Sequence, residues 1–131
     1  MGVFRVGMDV ANLERARFET VDAWVDTGAF YSSVPRPLLE ALGVIPEIRE
    51  PFLLADGRTG EADIGWATVR VNERTAITMV LFGEPESPAL LGAYTLEALR
   101  FVVDPKGHRL VPRAWVPRFH RGRPVPQPTA V

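Results

Sequence analysis

Apolar and polar residues alternate with a period of two through most of the chain, a pattern that indicates β-strands. The predicted strands cover residues 3–10, 16–25, 30–34, 47–55, 61–71, 75–82, 89–92, 101–104 and 108–111. The first two strands are separated by a short polar turn, so we expect them to pair as an antiparallel hairpin. The pattern as a whole predicts an all-β domain.

Two short segments have helical spacing instead. Residues 35–43 begin with prolines, which suit the first turn of a helix, and end at Gly43, which suits its C-terminus. Residues 94–99 place Leu96 and Leu99 on one face, and Thr95 is a candidate N-cap for this helix. One or two short helices are therefore expected to pack against the strands.

Glycine marks the predicted turns. The Asp-Gly pair at positions 56 and 57 is a strong hairpin signal between the two long strands of residues 47–55 and 61–71. Strands of this length place the tip of the hairpin beyond the rest of the sheet. The last two strands turn at residues 105–107, which read Pro-Lys-Gly.

Length and composition fit one small globular domain. The chain has 131 residues, of which 47% are hydrophobic, and its 11 glycines and 12 prolines are typical of a turn-rich fold. It has no cysteine, which excludes a disulfide, a thiolate nucleophile and a cysteine-based zinc site. No apolar run has membrane-spanning length and the N-terminus does not resemble a signal peptide, so we expect a cytoplasmic protein without a membrane partner.

Charge separates the body of the chain from its end. All 16 acidic residues and nine of the 15 basic ones precede residue 105, whereas six basic residues and no acid follow. We therefore predict a domain over residues 1–112 and a basic tail, rich in proline and arginine, over residues 113–131. Such tails can bind nucleic acid, with Trp115 and Phe119 as stacking candidates. We favour a solvated tail or one that docks on the body, and expect no nucleic-acid partner.

The candidate chemistry is concentrated after the second strand. Apolar and aromatic residues lead into Asp26, and Thr27, Gly28 and Ala29 follow it. Gly28 allows a sharp bend that a residue with a Cβ would resist. A carboxylate at the end of a buried strand lies at the rim of the core, where burial and neighbouring groups can change its pKa.

The Asp-Thr-Gly-Ala sequence after an apolar strand resembles the active-site signature of retropepsin-like aspartic proteases. The order of the predicted elements is also similar: a hairpin, the Asp strand, a long hairpin, an apolar strand, and two aliphatic residues with a glycine before a helix. The resemblance covers residues 3–112, and the Val-Asp-Pro hairpin near residue 104 resembles bacterial-type members of the family. It implies a small closed acid-protease barrel with a flap hairpin that covers the active site.

The resemblance also assigns roles to individual residues. Asp26 matches the catalytic aspartate, and Thr27 matches the residue whose hydroxyl contacts the loop of a partner chain. Gly28 and Ala29 match backbone positions that contact substrate, and Gly92 matches a glycine packed beneath the active-site turn. The flap tip, which matches substrate-binding positions, comprises Ala55, Asp56, Gly57, Arg58, Thr59 and Gly60.

Aspartic proteases hydrolyse peptides with two carboxyl groups about 3 Å apart that share one proton, so that one acts as base and the other as acid. This chain has only one Asp-Thr-Gly motif. The resemblance therefore implies a homodimer that places Asp26 of each copy on the two-fold axis. The expected function is an aspartic endopeptidase with a peptide or protein substrate and no cofactor.

An alternative function stays open, because two features differ from the retroviral pattern. The expected flap tip carries Asp56 and Arg58 where retroviral flaps are apolar and glycine-rich, and Phe30 and Tyr31 replace acids that hold substrate and dimer. These differences favour a non-catalytic peptide-binding module on the same fold. No metal is expected, since His108 and His120 lie far apart and no acid or histidine stands at ligand spacing.

Overall fold

A computed structural model describes residues 4–53 and 56–113 of the chain. Within these ranges it has nine strands and two short helices. In chain order they are β1 (Arg5–Ala11), β2 (Glu19–Val25), β3 (Ser32–Pro35), α1 (Arg36–Leu42), β4 (Pro46–Leu53), β5 (Thr59–Val71), β6 (Arg74–Gly83), β7 (Ala89–Leu91), α2 (Ala93–Leu99), β8 (Phe101–Asp104) and β9 (Arg109–Pro112). The basic tail from residue 114, with Trp115 and Phe119, lies outside the described residues, as does Ala55.

Six of the strands close into a barrel. Their order is β1-β2-β7-β3-β6-β5, and β1 pairs with β5 to complete the ring. Among the described strands β4 is bonded to β5 alone, and it extends the sheet outward as one arm of the long hairpin. The prediction of an all-β closed barrel with two short helices is confirmed.

The core fills the inside of this barrel and the space beneath the helices. Alternate residues of the strands point inward, in keeping with the period of two in the sequence. α1 contributes Leu39 and Leu42, and α2 contributes Leu96 and Leu99. Gly43 ends α1 with a φ of 81°, a left-handed conformation that favours glycine. Neither helix in the described part of the chain has the length and apolar character needed to cross a bilayer.

The terminal hairpin of β8 and β9 forms a separate two-stranded sheet, as the sequence predicts. Phe101 and Leu110 are its buried anchors in the core. The Arg74 guanidinium donates to the Arg100 carbonyl at 2.8 Å and lies over the Phe101 ring, at 5.1 Å from the centroid. The hairpin is thereby fixed to the barrel beside the end of α2.

The seam between β1 and β5 that closes the barrel contains an ion pair. Asp9 lies opposite Arg70, whose Nε donates to the Asp9 Oδ2 at 3.0 Å. The Thr20 hydroxyl donates to the other oxygen of Asp9 at 2.6 Å. Arg70 also lies over the Phe18 ring, 4.0 Å from its centroid. The Thr20 hydrogen bond, and then Arg70, lower the pKa of Asp9 against the opposing effect of burial.

We therefore expect Asp9→Asn to weaken the barrel most at neutral pH, by about 1–2 kcal/mol of unfolding free energy. Because the folded-state pKa is lowered, the stabilisation is present above the unfolded-state value of about 3.9 and disappears as pH falls through the folded value. Urea unfolding from pH 7 to pH 2.5 should show the two stability curves converging in acid. Thr20→Val removes the hydrogen bond that lowers the pKa of Asp9, so its loss of stability in acid should begin at a higher pH. Stability curves of wild type and Asp9→Asn that stay parallel down to pH 2.5 would contradict the role of Asp9.

Candidate active site

Asp26 lies at the end of β2, at the first residue beyond the strand. Its backbone N–H donates to the Leu91 carbonyl at 3.0 Å, which continues the parallel pairing of β2 with β7. Its carboxylate accepts a hydrogen bond from the Gly28 N–H at 3.0 Å, and its carbonyl accepts one from the Ala29 N–H at 3.2 Å. The turn predicted at residues 26–29 is therefore a compact loop around a half-buried carboxylate.

Gly92 lies against the inner side of this turn. A Cβ on Gly92 would stand 2.5 Å from the Tyr31 carbonyl oxygen and 2.9 Å from the Ala29 carbonyl oxygen. These are backbone atoms, which cannot move aside without displacing the turn itself. Only a residue without a side chain fits at this position.

α2 begins directly beneath the same turn. The N–H of Ala93 donates to the Ala29 carbonyl at 2.8 Å, and the N–H of Tyr94 donates to the Phe30 carbonyl at 3.0 Å. Both are donors at a helix N-terminus, where no carbonyl of the helix can accept them. The helix and the active-site turn thus satisfy each other's backbone groups, which fixes the turn to the barrel.

A buried hydroxyl network completes the support, and the sequence did not reveal it. The Ser32 Oγ accepts from the Gly92 N–H at 3.0 Å and lies 2.5 Å from the Thr95 Oγ1, which lies 3.0 Å from the Thr78 Oγ1. All three hydroxyl side chains are fully buried. The prediction that Thr95 is the N-cap of α2 is therefore wrong. Gly92 is the cap residue, and the Thr95 hydroxyl forms its hydrogen bonds inside the core. The sequence offered one sign of this network: Ser32 and Thr78 stand at positions of the alternating pattern that face the core.

We expect Ser32→Ala to destabilise the domain by about 1–3 kcal/mol, because it leaves a buried backbone N–H and a threonine hydroxyl without their partner. Urea unfolding of the variant measures this loss directly. Thr75→Val is the matched control, since Thr75 is an exposed hydroxyl on β6, the strand that carries Thr78. A loss in Ser32→Ala no larger than in the control would show that the network adds nothing to stability.

Three aromatic rings lie beside the turn, and two of them, Phe30 and Tyr31, stand where the family pattern has acids. Phe30 packs edge-on against Tyr31 at 4.9 Å between centroids and against Tyr94 at 5.6 Å. The Phe30 ring nevertheless stays 57% exposed in the single chain. Thr27 and Gly28 are exposed as well. The outer side of the turn is therefore an accessible, partly apolar surface.

The long hairpin of β4 and β5 carries the residues of the expected flap tip. Leu53 pairs with Thr59, so β5 begins two residues earlier than predicted, and Thr59 and Gly60 belong to it. Gly57 has a φ of 89°, and the Asp56 carboxylate accepts from the Arg58 Nε at 2.7 Å and its backbone N–H at 3.0 Å. These hydrogen bonds lower the pKa of Asp56. The two charges that distinguish this tip thus neutralise each other.

A cavity of about 730 Å³ lies between this hairpin, the start of β3 and the loop of residues 83–88. Tyr31, just before β3, and Ser33, on β3, line it from the segment that follows the Asp26 turn. The Tyr31 hydroxyl donates to the Glu50 carboxylate at 3.4 Å and so links this strand to the hairpin. Within the described residues, no three histidine, aspartate or glutamate side chains are grouped so that they could hold a metal ion.

Comparison with solved structures identifies the class of fold. The chain superimposes on the solution structure of the simian foamy virus (mac) protease with a TM-score of 0.54 and 20% identity, covering 71% of this chain and 91% of that one. It superimposes on the EIAV protease in complex with the inhibitor HBY-793 with a TM-score of 0.54 and 16% identity, covering 72% of this chain and 86% of that one. The barrel therefore has the retropepsin-like fold. Protein-family profiles and curated proteins give no match to the sequence.

Proposed function

We propose that this protein is an aspartic endopeptidase whose active site forms between two copies of the chain. The observation that carries the proposal is the turn itself: Asp26 stands in an Asp-Thr-Gly-Ala loop that β7, Gly92 and α2 hold in place, on a retropepsin-like barrel. The structural neighbours are proteases by name. Because their sequence identity to this chain is low, the likeness supports the fold alone. The activity is inferred from the site.

The chemistry needs a second carboxyl group beside Asp26. In the proposed reaction one carboxylate removes a proton from water as the oxygen attacks the peptide carbonyl, and the other, protonated, donates its proton to the carbonyl oxygen. Collapse of the resulting tetrahedral diol breaks the C–N bond, and a proton passes to the leaving amine. Like charges at such short range repel each other, so the two carboxyl groups would share one proton.

The other aspartates of the chain are already committed elsewhere. Each forms an ion pair with a nearby arginine, at distances between 2.6 and 3.1 Å: Asp9 with Arg70, Asp22 with Arg5, Asp56 with Arg58, Asp63 with Arg36, and Asp104 with Arg109. None of them is followed by the Thr-Gly sequence that follows Asp26. The second carboxyl group is therefore proposed to come from Asp26 of another copy of the chain.

The accessible surface around the turn suits such a dimer. Thr27 and Gly28 are exposed, and Phe30 presents more than half of its ring to solvent in the single chain. A two-fold contact at this surface would cover the exposed ring and bring the two turns together. In the proposed enzyme the β4–β5 hairpin acts as the flap that closes over an extended peptide.

A non-catalytic peptide-binding module is the second candidate. It is favoured by the polar Asp56–Arg58 tip, where retroviral flaps are apolar, and by the aromatic residues Phe30 and Tyr31 beside the turn. A module of this kind would still use the cavity below the hairpin, but it would not require the Asp26 carboxylate.

The test combines the solution mass with a digest. We expect a dimer by light scattering or sedimentation, cleavage of an extended-peptide library at acidic pH, and inhibition by pepstatin, which resembles the tetrahedral intermediate. A chain that stays monomeric at high concentration and leaves every peptide intact would favour the binding module instead.

A further inference from the structure

The cavity beneath the hairpin combines two kinds of surface. Its apolar walls come from Phe52 on the hairpin and from Pro85 and Pro88 on the opposite loop. The charged groups that line it are Glu50, Glu61, Asp63, Glu84 and a single base, Arg36. A long side chain with an apolar stem and a cationic end would match both surfaces.

The arginine does not offset the acids in the interior of the cavity. Its guanidinium is engaged by Asp63 at 2.6 Å and by Glu40 at 3.7 Å, and it lies over the Phe82 ring, 4.9 Å from the centroid. Asp63 raises the pKa of Arg36 further and keeps it charged and paired. Glu61 is likewise paired, with Arg49 at 3.7 Å.

Two acids on opposite walls are left with negative charge. Glu50 stands on the hairpin and Glu84 on the loop of residues 83–88. Across the described ranges, no basic side chain lies within ion-pair distance of either carboxylate. Glu50 accepts only the Tyr31 hydroxyl, and burial, followed by the charge of Glu50, raises the pKa of Tyr31. The phenol therefore stays a neutral donor and does not cancel the charge of Glu50.

We propose that this cavity binds a lysine or arginine side chain of the peptide substrate, with its cation between Glu50 and Glu84. The inference rests on the proposed function, since it names the substrate class of that site. The aliphatic stem packs against Phe52 and the prolines, and the ammonium or guanidinium group meets the two carboxylates. Because both acids are exposed, we expect a moderate preference of about tenfold for the basic side chain over an uncharged one of equal length.

The experiment uses peptides that are identical except at one position, which carries lysine, arginine, norleucine, glutamine or glutamate. Cleavage by the full chain gives kcat/KM for each, and binding to the Asp26→Asn variant, followed by fluorescence anisotropy, gives Kd without cleavage. Glu50→Gln and Glu84→Gln should each reduce the preference for lysine over norleucine several-fold. Glu97→Gln, an exposed acid on α2 outside the cavity, is the control and should retain the full preference.

The two readouts separate failure of this inference from failure of the proposed function. Binding that favours lysine and depends on Glu50, with no cleavage of any peptide, would leave the cavity assignment standing and overturn the protease. Cleavage of norleucine and lysine peptides at equal rates would overturn the assignment and leave the protease standing. Absence of both binding and cleavage would overturn both.

Discussion

Asp26→Asn is expected to abolish peptide hydrolysis, with a loss of at least about 10³-fold in kcat, while the fold and the dimer persist. An amide can neither remove a proton from water nor supply one to the peptide carbonyl, and in a homodimer the substitution removes both carboxyl groups at once. The Gly28 N–H can still donate to the amide oxygen, so the turn keeps its geometry. Single-turnover cleavage and the solution mass of the variant measure the two parts of this expectation.

Asp22→Asn is the matched control for this experiment. Asp22 lies on the same strand as the residues that lead into the turn, and its exposed carboxylate pairs with Arg5 at 3.0 Å. The control should cleave peptides at the unmodified rate, because exposed ion pairs contribute little. Pepstatin-sensitive cleavage that survives in Asp26→Asn would mean that the reaction uses other groups.

Gly92→Ala is expected to destabilise the domain by about 2–4 kcal/mol. The added carbon would stand 2.5 Å from the Tyr31 carbonyl oxygen and 2.9 Å from the Ala29 carbonyl oxygen. The turn must move outward to make room, which also displaces Asp26. We therefore expect activity to fall further than stability alone explains, even at temperatures where the variant stays folded.

Gly7→Ala provides the comparison at a glycine with space around it. A Cβ there would meet only the Thr20 methyl group, at an ordinary contact distance of 3.7 Å. Urea unfolding and peptide cleavage of both variants should separate a change of about 0.5 kcal/mol at Gly7 from the large loss at Gly92. Equal effects in the two variants would mean that Gly92 has no special role beneath the turn.

The sequence predicted the order and type of nearly all the elements. Apolar residues at every second position indicate strands directly, and glycine or proline marks the turns between them. It also singled out Asp26 and Gly92, which the structure brings to opposite sides of one backbone turn. The local pattern was sufficient for the elements, whereas the roles of Asp26 and Gly92 came from the resemblance to retropepsin-like proteases. The strand limits were less accurate at Phe30 and Tyr31, where the backbone bends to meet α2 before β3 begins.

Contacts between segments that are distant in the chain could not be predicted from the sequence. Ser32, Thr78 and Thr95 look like ordinary strand and helix residues, and only the folded barrel shows that they share hydrogen bonds. The pairing of Asp9 with Arg70 also depends on the closure of β1 on β5, which no local pattern encodes. Likewise, the sequence places two charges at the polar hairpin tip, and only the structure shows that Asp56 and Arg58 pair with each other.

The place of β7 between β2 and β3 has a consequence for the newly made chain. Leu91 accepts the Asp26 N–H, and Gly92 donates to Ser32 from a position 60 residues further along the chain. A ribosome that has exposed only the first half of the domain therefore presents the Asp-Thr-Gly segment without the strand that shapes it. Any hydrolytic capacity of the proposed active site must wait until translation has passed α2, because the turn takes its shape only when β7 and α2 are present.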